Sequence, residues 1–292
     1  MSVSKEAFQS IRSIQIRATR NVNDLFAGIY RSIFKGRGLE FEDVREYQPG
    51  DEIRSIDWNV TARMQNAYVK NFKEERELTV MLVVDVSASS QFGHASRLKS
   101  QLIAEIAALL AFSAIKNQDK VGLLLFSDQI ELYLRPKKGT RHVLRVIREL
   151  LYFQPQHLGT DLQKALTFLG QVQRHQTICF LISDFLTENF NHELRLTAKR
   201  HETIAIRVYD QYECQFPKLG LTALHDLESS SSAYIDTSDP LAQKQFCEKA
   251  ELQHSQLQQL IHRAGADLIS VRTDESYEKT LQHFLKKRGR KR

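Results

Sequence analysis

The sequence predicts an α/β fold, a doubly wound and mostly parallel sheet with helices on both faces. Three observations carry this reading. Residues 79–84, 121–126, 177–182 and 203–208 are short runs rich in Val, Ile and Leu, as expected of strands buried on both faces. The stretches between them place apolar residues at helical spacing. With 292 residues, 42% of them hydrophobic, the chain can bury a sizeable core.

In chain order, residues 4–19 and 22–35 read as amphipathic helices. The second puts Val22, Leu25, Phe26, Ile29, Tyr30, Ile33 and Phe34 on one face and stops at the KGRG of residues 35–38. Residues 39–77 differ. Pro49-Gly50 signals a turn, and short alternating segments around it (Phe41, Val44, Tyr47; Tyr68, Val69, Phe72) carry dense charge of both signs. This predicts a small irregular β segment crossed by salt bridges, too short and polar to hold a core alone. The single tryptophan, Trp58, is expected to anchor it to the body.

From residue 78 strands and helices alternate. Strand 79–85 leads to helix 97–116, whose middle, AALLAFSAI, is almost continuously apolar. Strand 121–126 follows, with 130–134 pairing antiparallel at an edge. Helices 140–153 and 161–172 precede strand 177–182. Helix 190–200, strand 203–208, a hairpin or excursion over 215–237, helix 240–264, strand 267–271 and helix 275–287 complete the chain. The expected division is an N-terminal extension (1–77), a main domain (78–273) and a C-terminal helix with a basic tail (274–292).

Composition excludes several classes. The first residues have charges spaced through them and no apolar segment of a signal peptide. The longest apolar run, 106–115, is half the roughly 20 residues a spanning helix needs. Cys179, Cys214 and Cys247 lack metal-site spacing and a disulfide pattern, so a cytoplasmic location with reduced thiols is expected. No HExxH, GxSxG or GxxxxGK[ST] motif occurs. The ten histidines are therefore expected on the surface, and any ATP hydrolysis would belong to a partner. The net charge of +6 equals the six basic residues among 286–292. A nucleic-acid role would rest on that tail alone, whose expected state is a solvated, disordered end.

The chemistry concentrates where strands end. Strand 79–85 runs into Asp85, Ser87 and Ser89, three oxygen-bearing residues at alternate positions. In doubly wound sheets ligands sit beyond the carboxyl ends of strands, at the switch in strand order. Gly159-Thr160-Asp161 opens a helix and Asp184 follows strand 177–182, so both reach the same edge. Two carboxylates and three hydroxyls suit a hard, near-octahedral cation, Mg²⁺ or Mn²⁺, that keeps waters. Neutral hydroxyl ligands leave it electrophilic toward an external carboxylate. The alternative is a Mg²⁺-dependent, phosphate-processing hydrolase. An Asp-nucleophile phosphatase would use Asp85, but it wants a second carboxylate where Ser87 stands, and a lysine for which the sequence offers no clear candidate.

DxSxS, a distant Thr and a later Asp resemble the metal-ion-dependent adhesion site of von Willebrand factor A-type domains. Asp85, Ser87, Ser89, Thr160 and Asp184 match its five positions in order. Ser90 stands where that family often carries Met or another apolar residue. The block GDEIRSIDW at 50–58, leading into strand 79–85, resembles the prokaryotic domain-of-unknown-function 58 family, DUF58. These resemblances imply a non-catalytic, metal-dependent protein-interaction module, with Ser87, Ser89 and Thr160 on the metal directly and Asp85 and Asp184 partly through water. They also imply a MoxR-type AAA+ ATPase as protein partner in assembling or activating other proteins, and no small-molecule substrate. Glu42, Arg45, Asp51, Arg54, Asp57 and Trp58 form either a docking face or a structural brace.

Overall fold

The computed structural model of the chain describes Tyr30, Phe34 and residues 40–64, 66–73, 77–93, 97–225 and 232–291. The two expected N-terminal helices and the side chain of Glu42 lie outside the described residues, apart from Tyr30 and Phe34.

Ten described strands form three sheets. Strands β1 (Glu40–Glu46) and β2 (Tyr68–Lys73) pair antiparallel, with a short helix α1 (Trp58–Thr61) between them. The main sheet is built from β3 (Thr79–Asp85), β4 (Lys120–Phe126), β5 (Ile130–Lys137), β6 (Ile178–Ser183), β7 (Glu202–Tyr209) and β10 (Asp267–Arg272), in the order β10-β7-β6-β3-β4-β5. Every pairing in it is parallel except β4 with β5. Strands β8 (Leu221–His225) and β9 (Ser232–Asp236) make the expected hairpin. The long helices are α2 (Lys99–Lys116), α3 (Thr140–Tyr152), α4 (Leu162–Val172), α5 (Asn191–Arg200), α6 (Pro240–Ala264) and α7 (Tyr277–Lys291).

The apolar runs explain the layers. Side chains alternate across a strand, so β3 feeds two cores at once. Val80, Leu82 and Val84 join a cluster with residues of α2, α3 and α7, Tyr30 and Phe34. Met81 and Val83 join the opposite cluster, with residues of α4, α5 and α6. Both faces of β3 are buried, so alternation of polar and apolar residues is lost and a continuous apolar run remains. The apolar middle of α2 has the same cause: Ala107, Ala108, Leu109, Leu110 and Ala111 are all buried. Gly122 on β4 is a packing requirement. A Cβ there would lie 2.5 Å from Met81 Sδ and 2.9 Å from Pro136 Cγ.

Three expectations are corrected. Trp58 does not anchor the β1–β2 segment: it opens α1 and is 66% exposed. Asp57 caps this helix by accepting from the N–H groups of Asn59 and Val60, and that fixes Trp58 on the outer side of the turn. The basic tail is not a loose end. Helix α7 runs to Lys291, and Arg288 turns inward to Glu202 (2.9 Å) and Asp267 (3.2 Å), which begin β7 and β10. Its guanidinium also lies over the rings of Phe34 and Phe284. Nor are all histidines on the surface. His201 is 2% exposed, with Nδ1 3.2 Å from Thr177 Oγ1.

Candidate functional site

The strand order places the site. From β3 the chain moves outward to β4 and β5, then returns to the other side of β3 as β6 and continues to β7 and β10. The switch point therefore lies between β3 and β6. Asp85 is the last residue of β3, and Asp184 immediately follows β6.

The turn after β3 is held by its own side chains. Asp85 Oδ1 accepts from the Ser87 N–H (3.0 Å), and Ser87 Oγ is 3.0 Å from Ser89 Oγ. Ser90 Oγ donates to the Ser87 carbonyl at 2.7 Å, closing the 3₁₀ turn Ala88–Gln91. The serine at the position of family departure thus has a structural task, while the Ser87 and Ser89 hydroxyls pair with each other beside the two carboxylates. Ser183 joins the set unforeseen: its Oγ donates to Asp85 Oδ2 at 2.6 Å across the β3–β6 seam and accepts from the Phe185 N–H at 3.0 Å. Phe185 holds φ +59, a region costly for a bulky side chain, and its ring is buried beside Phe190.

Thr160 reaches the same edge on the loop before α4. The Leu158 carbonyl accepts from Ala88 N–H (2.9 Å), and the Thr160 carbonyl accepts from Thr187 Oγ1 (3.3 Å). This loop is thereby tied to the turns that follow β3 and β6. Asp161 caps α4, its carboxylate accepting from Lys164 N–H at 2.9 Å.

Asp184 has a partner that the sequence reading missed. Lys99, the first residue of α2, is 2% exposed and places Nζ 2.8 Å from Asp184 Oδ2 and 2.7 Å from Glu213 Oε1. Glu213 closes the 3₁₀ turn Gln211–Glu213 that follows β7. The lysine lacking from the phosphatase argument is therefore present, though far from Asp184 in the chain. A buried basic residue at a helix start has no apolar signature. Its signal was only that Lys99 stands at helical spacing from the apolar Leu102, Ile103 and Ile106.

The electrostatics follow from burial. Desolvation, and then the Asp184 charge, push the Asp85 carboxyl above the ordinary range, against hydrogen bonds from Ser183 and Ser87. Burial pushes Asp184 up as well, but the Lys99 ammonium, Ser89 and the Leu186 N–H outweigh it and hold Asp184 below its ordinary value. Burial pushes Glu213 up, offset in part by Lys99. The two candidate carboxylates thus differ: Asp184 carries a firm negative charge, and Asp85 ionises with more difficulty.

The donor set fits a hard cation. Among the described residues no three His, Cys, Asp or Glu side chains cluster closely enough to hold a metal ion. Metal retention would therefore depend on the hydroxyls beside Asp85 and Asp184, and oxygen donors of low total charge suit Mg²⁺ better than Zn²⁺.

The 39–77 residues fall into two groups. Arg45 and Asp51 form a two-pronged pair at 2.7 Å for each prong, and Asp57 caps α1, so all three act within the segment. Arg54 and Trp58 are exposed.

The profile of the family described as "Protein of unknown function DUF58" matches residues 43–256. A relative, "Uncharacterized protein Rv1480" of Mycobacterium tuberculosis, is 30% identical over 284 residues, covering 96% of this chain and 89% of its own length. Among solved structures, BatB from Bacteroides thetaiotaomicron is similar at TM-score 0.48 and 16% identity, over 73% of this chain and 99% of that one. The SpRpn10 VWA domain is similar at TM-score 0.40 and 10% identity, over 70% and 94%.

Proposed function

The chain belongs to the DUF58 family, and from that premise we propose that it is a non-catalytic, metal-dependent protein-interaction module. Asp85, Ser87, Ser89, Thr160 and Asp184 hold Mg²⁺, or Mn²⁺, at the switch point. The bound ion would supply an electrophile for a carboxylate offered by a protein partner. The observation that carries this reading is the meeting of Asp85, Ser87, Ser89 and Asp184 at one sheet edge, with the loop of Thr160 tied to the same turns.

The surroundings support a protein partner. Each of the three loops presents an apolar side chain to solvent: Phe92 (37% exposed), Leu158 (52%) and Leu186 (56%). Apolar side chains around a polar centre are what a protein contact buries. Following the family resemblance, the partner is a MoxR-type AAA+ ATPase, with the module acting as its adaptor. No helix among the described residues is long and apolar enough to cross a membrane.

The test is a pull-down with wild type and Asp85→Ala, each with Mg²⁺ and with EDTA. Partners should be captured only by wild type with Mg²⁺. Identical capture in all four conditions would end the metal-dependent reading.

Lys99 beside Asp184 favours a second reading, Mg²⁺-dependent phosphate hydrolysis with Asp85 as nucleophile. Against it, Ser87 stands where the acid would be needed. Turnover of p-nitrophenyl phosphate by wild type, lost in Asp85→Asn, would establish this second reading over the first.

A further inference from the structure

Lys99 has no evident need to be where it is. A long ammonium side chain is costly to bury, and a buried ion pair contributes little net stability compared with an apolar side chain of similar size. Yet Lys99 is 2% exposed and sits between carboxylates that follow two different strands, Asp184 after β6 and Glu213 after β7. Its backbone N–H is fixed by the Phe92 carbonyl at 2.9 Å, and its ammonium lies 6.0 Å from the centre of the Phe92 ring. The same aromatic residue thus ties Lys99 to the turn that carries Ser87 and Ser89.

We infer that Lys99 is a resident counter-ion that weakens divalent-cation binding at the site and keeps the loaded metal attractive to an incoming carboxylate. The inference rests on the metal-binding reading above and assigns a residue that sets its strength. With Asp85, Asp184 and Glu213 ionised, the three carboxylates and one ammonium sum to two negative charges, which a divalent ion neutralises. Without the ammonium, the empty site attracts a cation more strongly, and the loaded site stays negative and repels a partner's carboxylate. Lys99 also competes directly for Asp184 Oδ2, the oxygen it holds at 2.8 Å. Glu213 works against Lys99 by sharing its charge. Removing Glu213 commits the ammonium to Asp184 and takes a negative charge from the site.

The two residues therefore act with opposite signs, which damage to the fold would not produce. The experiment is calorimetric titration of Mn²⁺ alone into wild type, Lys99→Met, Glu213→Gln and Asp85→Ala, with circular dichroism to check folding. Lys99→Met is expected to bind Mn²⁺ about tenfold more tightly or better, as expected for removing a positive charge held against a carboxylate of the site. Glu213→Gln is expected to bind severalfold more weakly. Equal or weaker binding by a folded Lys99→Met overturns the inference. If Lys99→Met does not fold, Glu213→Gln decides: weaker binding supports the inference, and unchanged or tighter binding overturns it. Binding that is equal in wild type and Lys99→Met but lost in Asp85→Ala removes only the role of Lys99. No binding by wild type and Lys99→Met alike removes the metal reading itself.

Discussion

Ser183 Oγ donates a 2.6 Å hydrogen bond to Asp85 Oδ2, joining the ends of β6 and β3 where no chain connection joins them. Both residues are buried, Ser183 fully and Asp85 to 97%. A buried carboxylate that loses a donor keeps its desolvation cost and loses the offset. Ser183→Ala should therefore cost about 1–3 kcal/mol in urea unfolding at neutral pH. It should also move the Asp85 carboxyl further upward, visible by NMR titration. A change below about 0.5 kcal/mol would mean that water replaces the hydroxyl there.

His201 predicts an acid-side loss of stability. Burial, with Arg200 adding to it, lowers its folded value to about 4 from an ordinary 6.5. Protonation would place a second N–H in the interior, and Nε2 has no hydrogen-bond partner among the described residues. Below pH 6.5 the unfolded chain takes up this proton while the native protein resists until about pH 4. The stability that neutral His201 contributes is thus complete above pH 6.5 and is lost as the pH falls toward 4, by up to roughly 3 kcal/mol. Urea midpoints measured across that window should fall less steeply in His201→Gln than in wild type. Parallel slopes would assign the acid lability to other groups.

Trp58 predicts a separation of stability from binding. It is 66% exposed, so Trp58→Ala should change unfolding free energy by no more than about 0.5 kcal/mol. If the 39–77 segment docks a partner through Arg54 and Trp58, the same variant should lose partner capture in the pull-down. Full capture by Trp58→Ala would leave the segment as a brace, in keeping with the Arg45–Asp51 pair.

Gly122 predicts strain. Met81 Sδ, the nearer obstacle to an added methyl, belongs to a flexible side chain that can yield, but the Pro136 ring on the neighbouring strand cannot. Gly122→Ala should cost about 1–3 kcal/mol by overpacking. A paired Pro136→Ala substitution should recover part of that loss in a double-mutant cycle.

The central sheet was legible in the sequence because double burial strips a strand of polar residues, and β3, β4 and β6 read as unbroken apolar runs. Asp85, Ser87 and Ser89 were legible because they break such a run abruptly. What stayed hidden was fixed by distant partners. Lys99 reads as an ordinary basic residue opening a helix, and only Asp184 and Glu213 make its burial tolerable. Ser183 reads as a strand terminus until Asp85 faces it across the seam. The single Trp58 suggested an anchor, but it opens a one-turn helix, capped by Asp57, that buries none of its residues. Arg288 belonged to a charge run that suggested solvent, while Glu202 and Asp267 drew it inward.

Strand β5 closes one edge of the main sheet, and its last residues are Arg135, Pro136 and Lys137. An unpaired strand edge is a template on which copies of a protein can polymerise. Proline has no N–H to offer a further strand, and the exposed charges beside it repel a copy of themselves. The same ring that an alanine at position 122 would meet thus guards the strand edge against fibrillar self-assembly. Replacing Pro136 should therefore lower the concentration at which the protein begins to aggregate, as light scattering would show.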